Sequence, residues 1–311
     1  MRVTSNTFPN YLVNQLGTLQ TSQARLQTEV SSGLSVQQPE DNPDAMRSVL
    51  DLTAESQAST QYQQNITQLQ QTATAGSSAM QSLQAIVSKA GEIATSANGV
   101  QSSQQLSSYS DQVAQLIQQA AQIANTQDQG SYIFAGTNSS AAPFTVNTNS
   151  NGQVTGVTYN GNQSVAQTEI APGVTLSAQT VGENTTGSGP RGLFADSRSG
   201  ADLFSHLISL QNNLAQGNTS AISATDAPNV QKDEDNLAYQ IGANGATHSR
   251  LQASASAASA QQTALNGEIS QQSGADLAQT MLQLTQTQNA YQAALQTGGQ
   301  MLKLSLLNYI Q

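Results

Sequence analysis

Two histidines and one acidic run are the side chains with the chemistry to bind a metal or move a proton. His206 and His248 lie in different segments, and neither is followed four residues later by Cys, Asp or Glu, the usual spacing of metal ligands on a helix. The run Asp233-Glu234-Asp235 lacks the glycine and the spaced oxygens of a calcium loop. We interpret both histidines as ordinary helix or surface residues and the acidic run as a solvated helix start.

Nucleotide binding and covalent catalysis find no support either. The segment Gly187-Ser188-Gly189-Pro190-Arg191-Gly192 contains Gly-x-Gly, but no strand-turn-helix pattern surrounds it, so we predict a flexible loop. The absence of Cys excludes thiol catalysis, disulfides and Cys-ligated zinc. A pocket in the middle of the chain would be the place for an enzyme, yet no nucleophile-base-orienter set is present. We predict no enzyme, no catalytic residue, no cofactor and no metal.

Composition narrows the class of protein further. Of 311 residues only 37% are hydrophobic and 9% are charged, with a net charge of -10. Because nucleic-acid binders normally carry a basic face, we expect no nucleic acid as partner. The start lacks an apolar signal region and no apolar run of 18 residues occurs, so we expect no membrane insertion and, if the chain is exported, no cleaved signal.

Apolar residues with alternating spacings of four and three mark both ends of the chain. Residues 12–30 and 277–309 carry these seams, and a narrow apolar stripe needs a partner helix to bury it. We therefore predict that the two ends pair, antiparallel or nearly so, with Ser273 and Asp276 beginning the C-terminal helix. The predicted assembly interface is Leu12, Leu16, Leu19, Leu26, Val30, Leu277, Met281, Leu284, Tyr291, Leu295, Leu302, Leu306, Tyr309 and Ile310.

The alternative to assembly is an intramolecular bundle that never oligomerises. Against it, a linker with Pro39 and Pro43 separates the N-terminal seam from the next helix, so the terminal pair has few neighbours in its own chain. Exposed apolar stripes of this kind indicate subunit contacts.

The middle of the chain contains further helices on either side of a β-rich segment. A helix is predicted from about 44 to 98, behind an Asp41 or Asn42 cap, with a seam of ten small or apolar residues, and a third runs through about 106–123. Short strands with Asn-Gly turns follow between 131 and 190. Helical periodicity returns at 203–214 and, after a loop with Pro228, from 237 onward.

The predicted fold class is mainly α, a long coiled-coil or helical-bundle core built from both termini with a small antiparallel β domain inserted in the middle. The predicted domains are 1–40 with 273–311 as a terminal helix pair, 41–130 with 201–272 as a helical bundle, and 131–200 as the β insert. We expect the insert to face outward and to be dispensable for the helical core.

Short segments in a fixed order resemble the flagellin superfamily, and within it the hook-filament junction proteins of the bacterial flagellum. They cover both helical arms and the first half of the insert. These segments are Arg2-Val3, Leu26 with Ser31-Ser32-Gly33, Pro39-Glu40-Asp41-Asn42-Pro43, Gly130 to Gly136, Tyr159-Asn160-Gly161, Ile170 to Gly173, Ile241-Gly242-Ala243 and Leu304 to Tyr309.

The resemblance implies an extracellular structural subunit that joins hook to filament, exported through the flagellar type III apparatus without a cleaved signal peptide. Its implied partners are copies of itself in a ring, a hook-side junction protein, filament-side flagellin and a cytoplasmic export chaperone. Asn42 stands where the family usually has a second Asp, so no paired carboxylate site is expected there. Flagellin itself, or another non-enzymatic coiled-coil assembly protein, is the alternative.

Overall fold

A computed structural model describes residues 7–99, 101–150 and 153–310, and for residues 7–9 and 301–310 it describes the backbone alone. The chain is mainly α with a β insert in its middle, as predicted. The helices are α1 Thr7–Ser32, α2 Pro43–Ala97, α3 Ser103–Ala124, α4 Leu203–Gln216, α5 Thr219–Ala221, a π-helical turn Ile222–Asp226, α6 Ala227–Ser273 and α7 Leu277–Ile310.

Nine short strands form four small sheets. They are β1 Gln127–Asp128, β2 Ser131–Tyr132, β3 Phe144–Thr148, β4 Val154–Tyr159, β5 Thr168–Ala171, β6 Val174–Leu176, β7 Val181–Asn184, β8 Gly192–Asp196 and β9 Ala201–Asp202. Three sheets are two-stranded antiparallel pairs, and the fourth has the order β7-β8-β9. The pairing of β7 with β8 is parallel, which the prediction of an antiparallel insert did not include.

The second helix begins and packs as the sequence predicts. The Asn42 side-chain oxygen accepts from the Ala45 N–H at 3.1 Å, so Asn42 rather than Asp41 is the cap, and Pro43 occupies the first turn. All ten seam positions are buried: Ile66, Leu69, Ala73, Gly76, Met80, Leu83, Val87, Ala90, Ala94 and Ala97. This face of α2 therefore packs into the core along more than thirty residues.

Helix α6 is continuous where the sequence suggested breaks. Pro228 is its second residue. A proline is tolerated in the first turn because the N–H that it lacks would have no intrahelical partner there. The predicted loop around Pro228 is instead helical. Asn244 and Gly245 lie within the helix. A Cβ atom on Gly76 would lie 3.4 Å from the Asn244 side-chain nitrogen, so the glycine makes room for α6 beside α2.

The insert shares its core with the helices, contrary to the expectation of a separate unit. Phe134, Phe144 and Phe194 belong to the same cluster of buried side chains as Met80 of α2 and Phe204 of α4. The ring centroids of Phe194 lie 4.8 Å from Phe144 and 5.5 Å from Phe204. Aromatic rings at these separations contribute beyond their buried area.

The chain forms two compact units. The first consists of residues 1–58 with 261–311, and the second of residues 59–260. The first contains the terminal helix pair, and the second contains the insert. The three predicted domain boundaries stay a prediction.

Glu183 of β7 makes the stability of the second unit dependent on pH. It pairs with Ala195 of β8, which pairs with Asp202 of β9. Burial, with the negative charge of Asp202, raises the pKa of Glu183 from 4.5 to about 7. Between these values the folded chain holds a proton that the unfolded chain has lost, so the free energy of unfolding falls as pH rises from about 4.5 to about 7.

We expect Glu183→Gln to flatten that dependence, because the amide stays neutral at every pH. With solvent screening allowed for, the loss between pH 4.5 and pH 7 is at most about 2 kcal/mol. Thermal melts at pH 5 and pH 8 measure it: the variant should melt at a higher temperature than the wild type at pH 8 and at nearly the same temperature at pH 5. Equal pH slopes for the two proteins would contradict the assignment.

Candidate assembly surface

The terminal helices α1 and α7 pack against each other, and they run antiparallel. Leu34, just beyond α1, forms a β-bridge with Gly274, just before α7, whereas Leu12, near the start of α1, lies beside Gly298, towards the end of α7. The pairing of the chain ends predicted from the two seams is therefore confirmed.

The predicted seam of α1 is the covered face of that helix. Leu26 is buried with 3% of its surface exposed. The other five seam positions, Leu12, Leu16, Leu19, Gln23 and Val30, are half-buried. Their spacing of four and three residues keeps them on one side of the helix.

The predicted seam of α7 divides between two faces. Leu284 and Tyr291 are half-buried and Gly298 is buried, and they belong to a covered face with the 4-3 spacing Thr280, Leu284, Thr287, Tyr291, Ala294 and Gly298. Leu277, Met281 and Leu295 instead keep 44%, 53% and 48% of their surface exposed. We call these three residues the outer stripe.

The outer stripe is apolar and lies in an uncharged stretch of helix. From residue 277 to residue 300, α7 contains no Asp, Glu, Lys or Arg. Leu277 and Met281 lie one turn apart, and Leu295 lies further along the same helix. We interpret these exposed apolar side chains on an uncharged helix as the candidate contact surface. The predicted residues Leu302, Leu306, Tyr309 and Ile310 continue α7, and their side chains lie outside the described residues.

A glycine leaves room for the Leu12 side chain between the two terminal helices. A Cβ atom at Gly298 would collide with the Leu12 side chain, whereas one at the neighbouring Gly299 would meet nothing within 4 Å. The two glycines therefore give a matched pair of sites, equal in helix propensity and different in contact.

We expect Gly298→Ile to destabilise the helix pair by about 1–3 kcal/mol relative to Gly299→Ile, because overpacking a seam forces the helices apart. Hydrogen exchange of the α1 amides measures the effect. Faster exchange in the Gly298 variant alone is the expected result, and equal exchange in both variants would show that the contact does not hold the pair.

Both terminal helices break at the same level, where the chain segments hydrogen-bond to each other. The Ser35 N–H donates to the Ser273 carbonyl at 2.7 Å, and the Ala275 N–H donates to the Gly33 carbonyl at 2.9 Å. Gly33 adopts φ +72°, the left-handed conformation that ends a helix. Helix α1 thus ends within the Ser31-Ser32-Gly33 segment that carries part of the resemblance.

The start of α7 differs in part from the prediction. Asp276 accepts from the Gln279 N–H at 3.1 Å, so it is the cap. Ser273 is instead the last residue of α6, and its hydroxyl donates to the Ile269 carbonyl at 2.7 Å.

The acidic run and one histidine meet, which the sequence interpretation missed. His206 Nδ1 of α4 lies 2.8 and 3.0 Å from the two carboxylate oxygens of Asp233 of α6, and Asp233 is 4% exposed. Burial raises the pKa of the Asp233 carboxyl, and the hydrogen bond from His206 opposes that rise. Asp233 is therefore not a solvated residue; it joins α4 to α6, and the contact spans 27 residues of sequence.

The glycine-rich loop is ordered by side chains from its two flanks. Asn184 Nδ2 donates to the Ser188 and Pro190 carbonyls, each at 2.6 Å. Arg198 donates to the Gly189 carbonyl at 2.9 Å and pairs with Asp196 at 2.7 Å. The prediction of a flexible loop is wrong, because the donors that fix it lie outside the segment itself.

The part of the chain that the structure describes contains neither a side-chain cluster for a metal ion nor a helix that could cross a membrane. No group of three His, Asp or Glu side chains there is placed to hold a metal ion. Every helix in the same residues is too short or too polar to cross a bilayer.

Comparison with known proteins shows a family similarity over the first part of the chain. Residues 3–139 match the family model of the bacterial flagellin N-terminal helical region, which takes in α1, α2 and α3. The predicted resemblance to flagellins is confirmed over this region. No curated protein sequence matches the chain.

The particular fold is that of the flagellar hook-associated proteins. A Vibrio parahaemolyticus structure assigned as a hook-associated protein superposes with a TM-score of 0.64 at 19% identity, covering 75% of this chain and 100% of that one. Bacillus cereus FlgL superposes with a TM-score of 0.57 at 18% identity, covering 71% of this chain and 99% of that one. Xanthomonas campestris FlgL superposes with a TM-score of 0.56 at 17% identity, covering 69% of this chain and 98% of that one. At these identities the similarity is one of fold.

Proposed function

We propose that this protein is a structural subunit of the bacterial flagellum that joins hook to filament and assembles through its terminal helices. The observation that carries the proposal is the outer stripe of Leu277, Met281 and Leu295. These side chains are apolar and exposed, and they lie in a stretch of α7 that contains no charged residue. A helix pair that covers only one face of each helix leaves the other face for neighbouring subunits. The assembly is non-enzymatic.

The proposed partners follow from that role. They are further copies of the chain arranged in a ring, a hook-side junction protein, filament-side flagellin and a cytoplasmic export chaperone. The proposed location is extracellular, in the flagellum, after type III export without a cleaved signal peptide. Flagellin is the second candidate, because the matched N-terminal region is that of flagellins; the similarity in fold to hook-associated proteins favours the junction.

The outer stripe can be separated experimentally from the seam of the helix pair. We expect the double substitution Met281→Lys and Leu295→Lys to leave the helical circular dichroism of the monomer unchanged, because both side chains lie outside the covered face and keep about half of their surface exposed. It should abolish filament growth, since two ammonium groups would have to be buried at a subunit contact. Filament number per cell, counted by electron microscopy, is the measurement.

The matched control adds the same charge to polar, exposed positions of the same helix, Gln286→Lys with Gln300→Lys. It should support normal filaments. If the stripe variant assembles as well as this control, the outer stripe is not an interface and the proposed role of α7 fails.

A further inference from the structure

A small polar cleft lies within the unit 59–260, between one face of α6 and the extended segment 177–181 that leads into β7. Its volume is about 180 Å³, smaller than the 300–1,000 Å³ that holds a drug-sized ligand. It therefore fits a single ring or a single side chain. Arg191 is the only charged residue among the described residues that line it.

Arg191 presents a positive charge that no carboxylate neutralises. Its guanidinium carbon lies 4.0 Å from the centre of the Tyr239 ring, and the Gln240 amide nitrogen donates to its carbonyl at 2.8 Å. The ion pairs of the described residues do not include it, whereas the nearby Arg198 is paired with Asp196. Stacking on Tyr239 holds the guanidinium plane and leaves its N–H edge for an anion.

Asn244 places a second polar group at the cleft. The residue is 8% exposed and lines the cleft, and within the described residues its amide forms no hydrogen bond. Its amide is not among the sealed-off polar atoms without a partner, so its donors and its acceptor are open to a polar occupant of the cleft. Gln179 stands across the cleft with its side-chain oxygen already bound to the Ala166 N–H at 2.8 Å, which fixes its amide in place.

We propose that this cleft binds one carboxylated sugar unit, of the uronic-acid type. The carboxylate contacts the Arg191 guanidinium, ring hydroxyls bond the amides of Asn244 and Gln179, and the apolar edge of the sugar ring packs against Tyr239, which is 50% exposed. A simple anion would make no use of the Asn244 amide, and a neutral sugar would make none of the Arg191 charge. A cleft of about 180 Å³ has room for one such unit rather than for a peptide strand. This inference does not depend on the role in the flagellum.

The test is an NMR titration of the full-length chain with methyl glucuronide, methyl glucoside and acetate at millimolar concentrations. We expect the chemical shift of the Asn244 side-chain amide to change with methyl glucuronide, with a Kd on the order of 1 mM for so small a ligand. Methyl glucoside and acetate should bind at least about tenfold more weakly. Arg191→Gln should remove the preference for glucuronide over glucoside, and Asn244→Ala, followed by the side-chain amide of Gln179 instead, should weaken the binding of both sugars.

Arg250→Gln is the control, since it removes an exposed charge of α6 that lies outside the cleft. This variant should bind methyl glucuronide as tightly as the wild type does. Circular dichroism establishes that each variant is folded. Equal affinity for acetate and glucuronide would make the cleft a simple anion site, and tighter binding of a Glu-containing tripeptide would make it a peptide site. Either result, or no shift with glucuronide, overturns the proposal.

Discussion

Replacing Phe194 by Ala is expected to destabilise the 59–260 unit by about 3–5 kcal/mol. Phe194 is 1% exposed and is the centre of the aromatic cluster, with ring contacts to Phe134 at 5.5 Å, Phe144 at 4.8 Å and Phe204 at 5.5 Å. Three of these rings come from the insert and the fourth, Phe204, begins helix α4. The cavity would therefore open where the insert meets the helices.

Urea unfolding followed by circular dichroism measures this loss, since the helical signal comes mostly from α2, α3, α4 and α6. Phe194→Leu is the graded control and should cost less, because it fills most of the volume. Replacing residues 131–200 by a short Gly/Ser bridge should have the larger effect of unfolding the helices of this unit. Retention of a cooperative helical transition after that deletion would show that the helices hold a core of their own.

The sequence pattern located the helices because their apolar residues recur over many turns. The ten seam positions of α2 are all buried, and the α1 seam faces α7 as predicted. On α7 the same method succeeded only in part. Its covered face includes Thr280, Thr287 and Ala294, which are polar or small, so the apolar pattern selected Met281 and Leu295 on the neighbouring face instead.

Contacts between distant segments were beyond the reach of periodicity. The pairing of His206 with Asp233 depends on how α4 and α6 pack, and no local pattern encodes it. Asp202 does precede His206 by four residues, a spacing that can bring two side chains together on a helix, but the Asp202 carboxylate accepts from the Ser205 N–H at 3.2 Å as the cap of α4. The parallel pairing of β7 with β8 was similarly not predicted, because the Asn-Gly turn signals of the insert, at 151–152 and 160–161, lie before both strands.

The cleft beside α6 likewise combines one wall that helical periodicity can predict with another that it cannot. Tyr239, Gln240, Ala243, Asn244 and Thr247 share one face of a helix, which a helical pattern can place. The residues opposite them belong to an irregular segment, 177–180, whose path is set by single hydrogen bonds such as that from Gln179 N–H to Ser177 Oγ at 3.2 Å. Such a segment has no period to detect.

A chain that ends at Lys303 is expected to fold and to be exported, yet to leave cells without filaments. The truncation removes five large apolar residues, Leu304, Leu306, Leu307, Tyr309 and Ile310, too many for one partner helix to cover. Burying a Leu contributes roughly 1.5–3 kcal/mol, so three such side chains at a subunit contact change its affinity by at least about a thousandfold. The α1 seam would remain covered, because its partners on α7 run from Thr280 to Gly298.

The measurement is the amount of flagellin in the medium compared with filaments on the cells. Loss of the junction should release filament subunits into the medium, whereas loss of export would leave the truncated chain inside the cell. A second variant keeps the full length but replaces residues 304–311 by Gln and Ser, and it should fail equally, because the apolar side chains rather than the length make the contact. Normal filaments from either variant would remove the C-terminal segment from the interface and weaken the assignment of the chain to the junction.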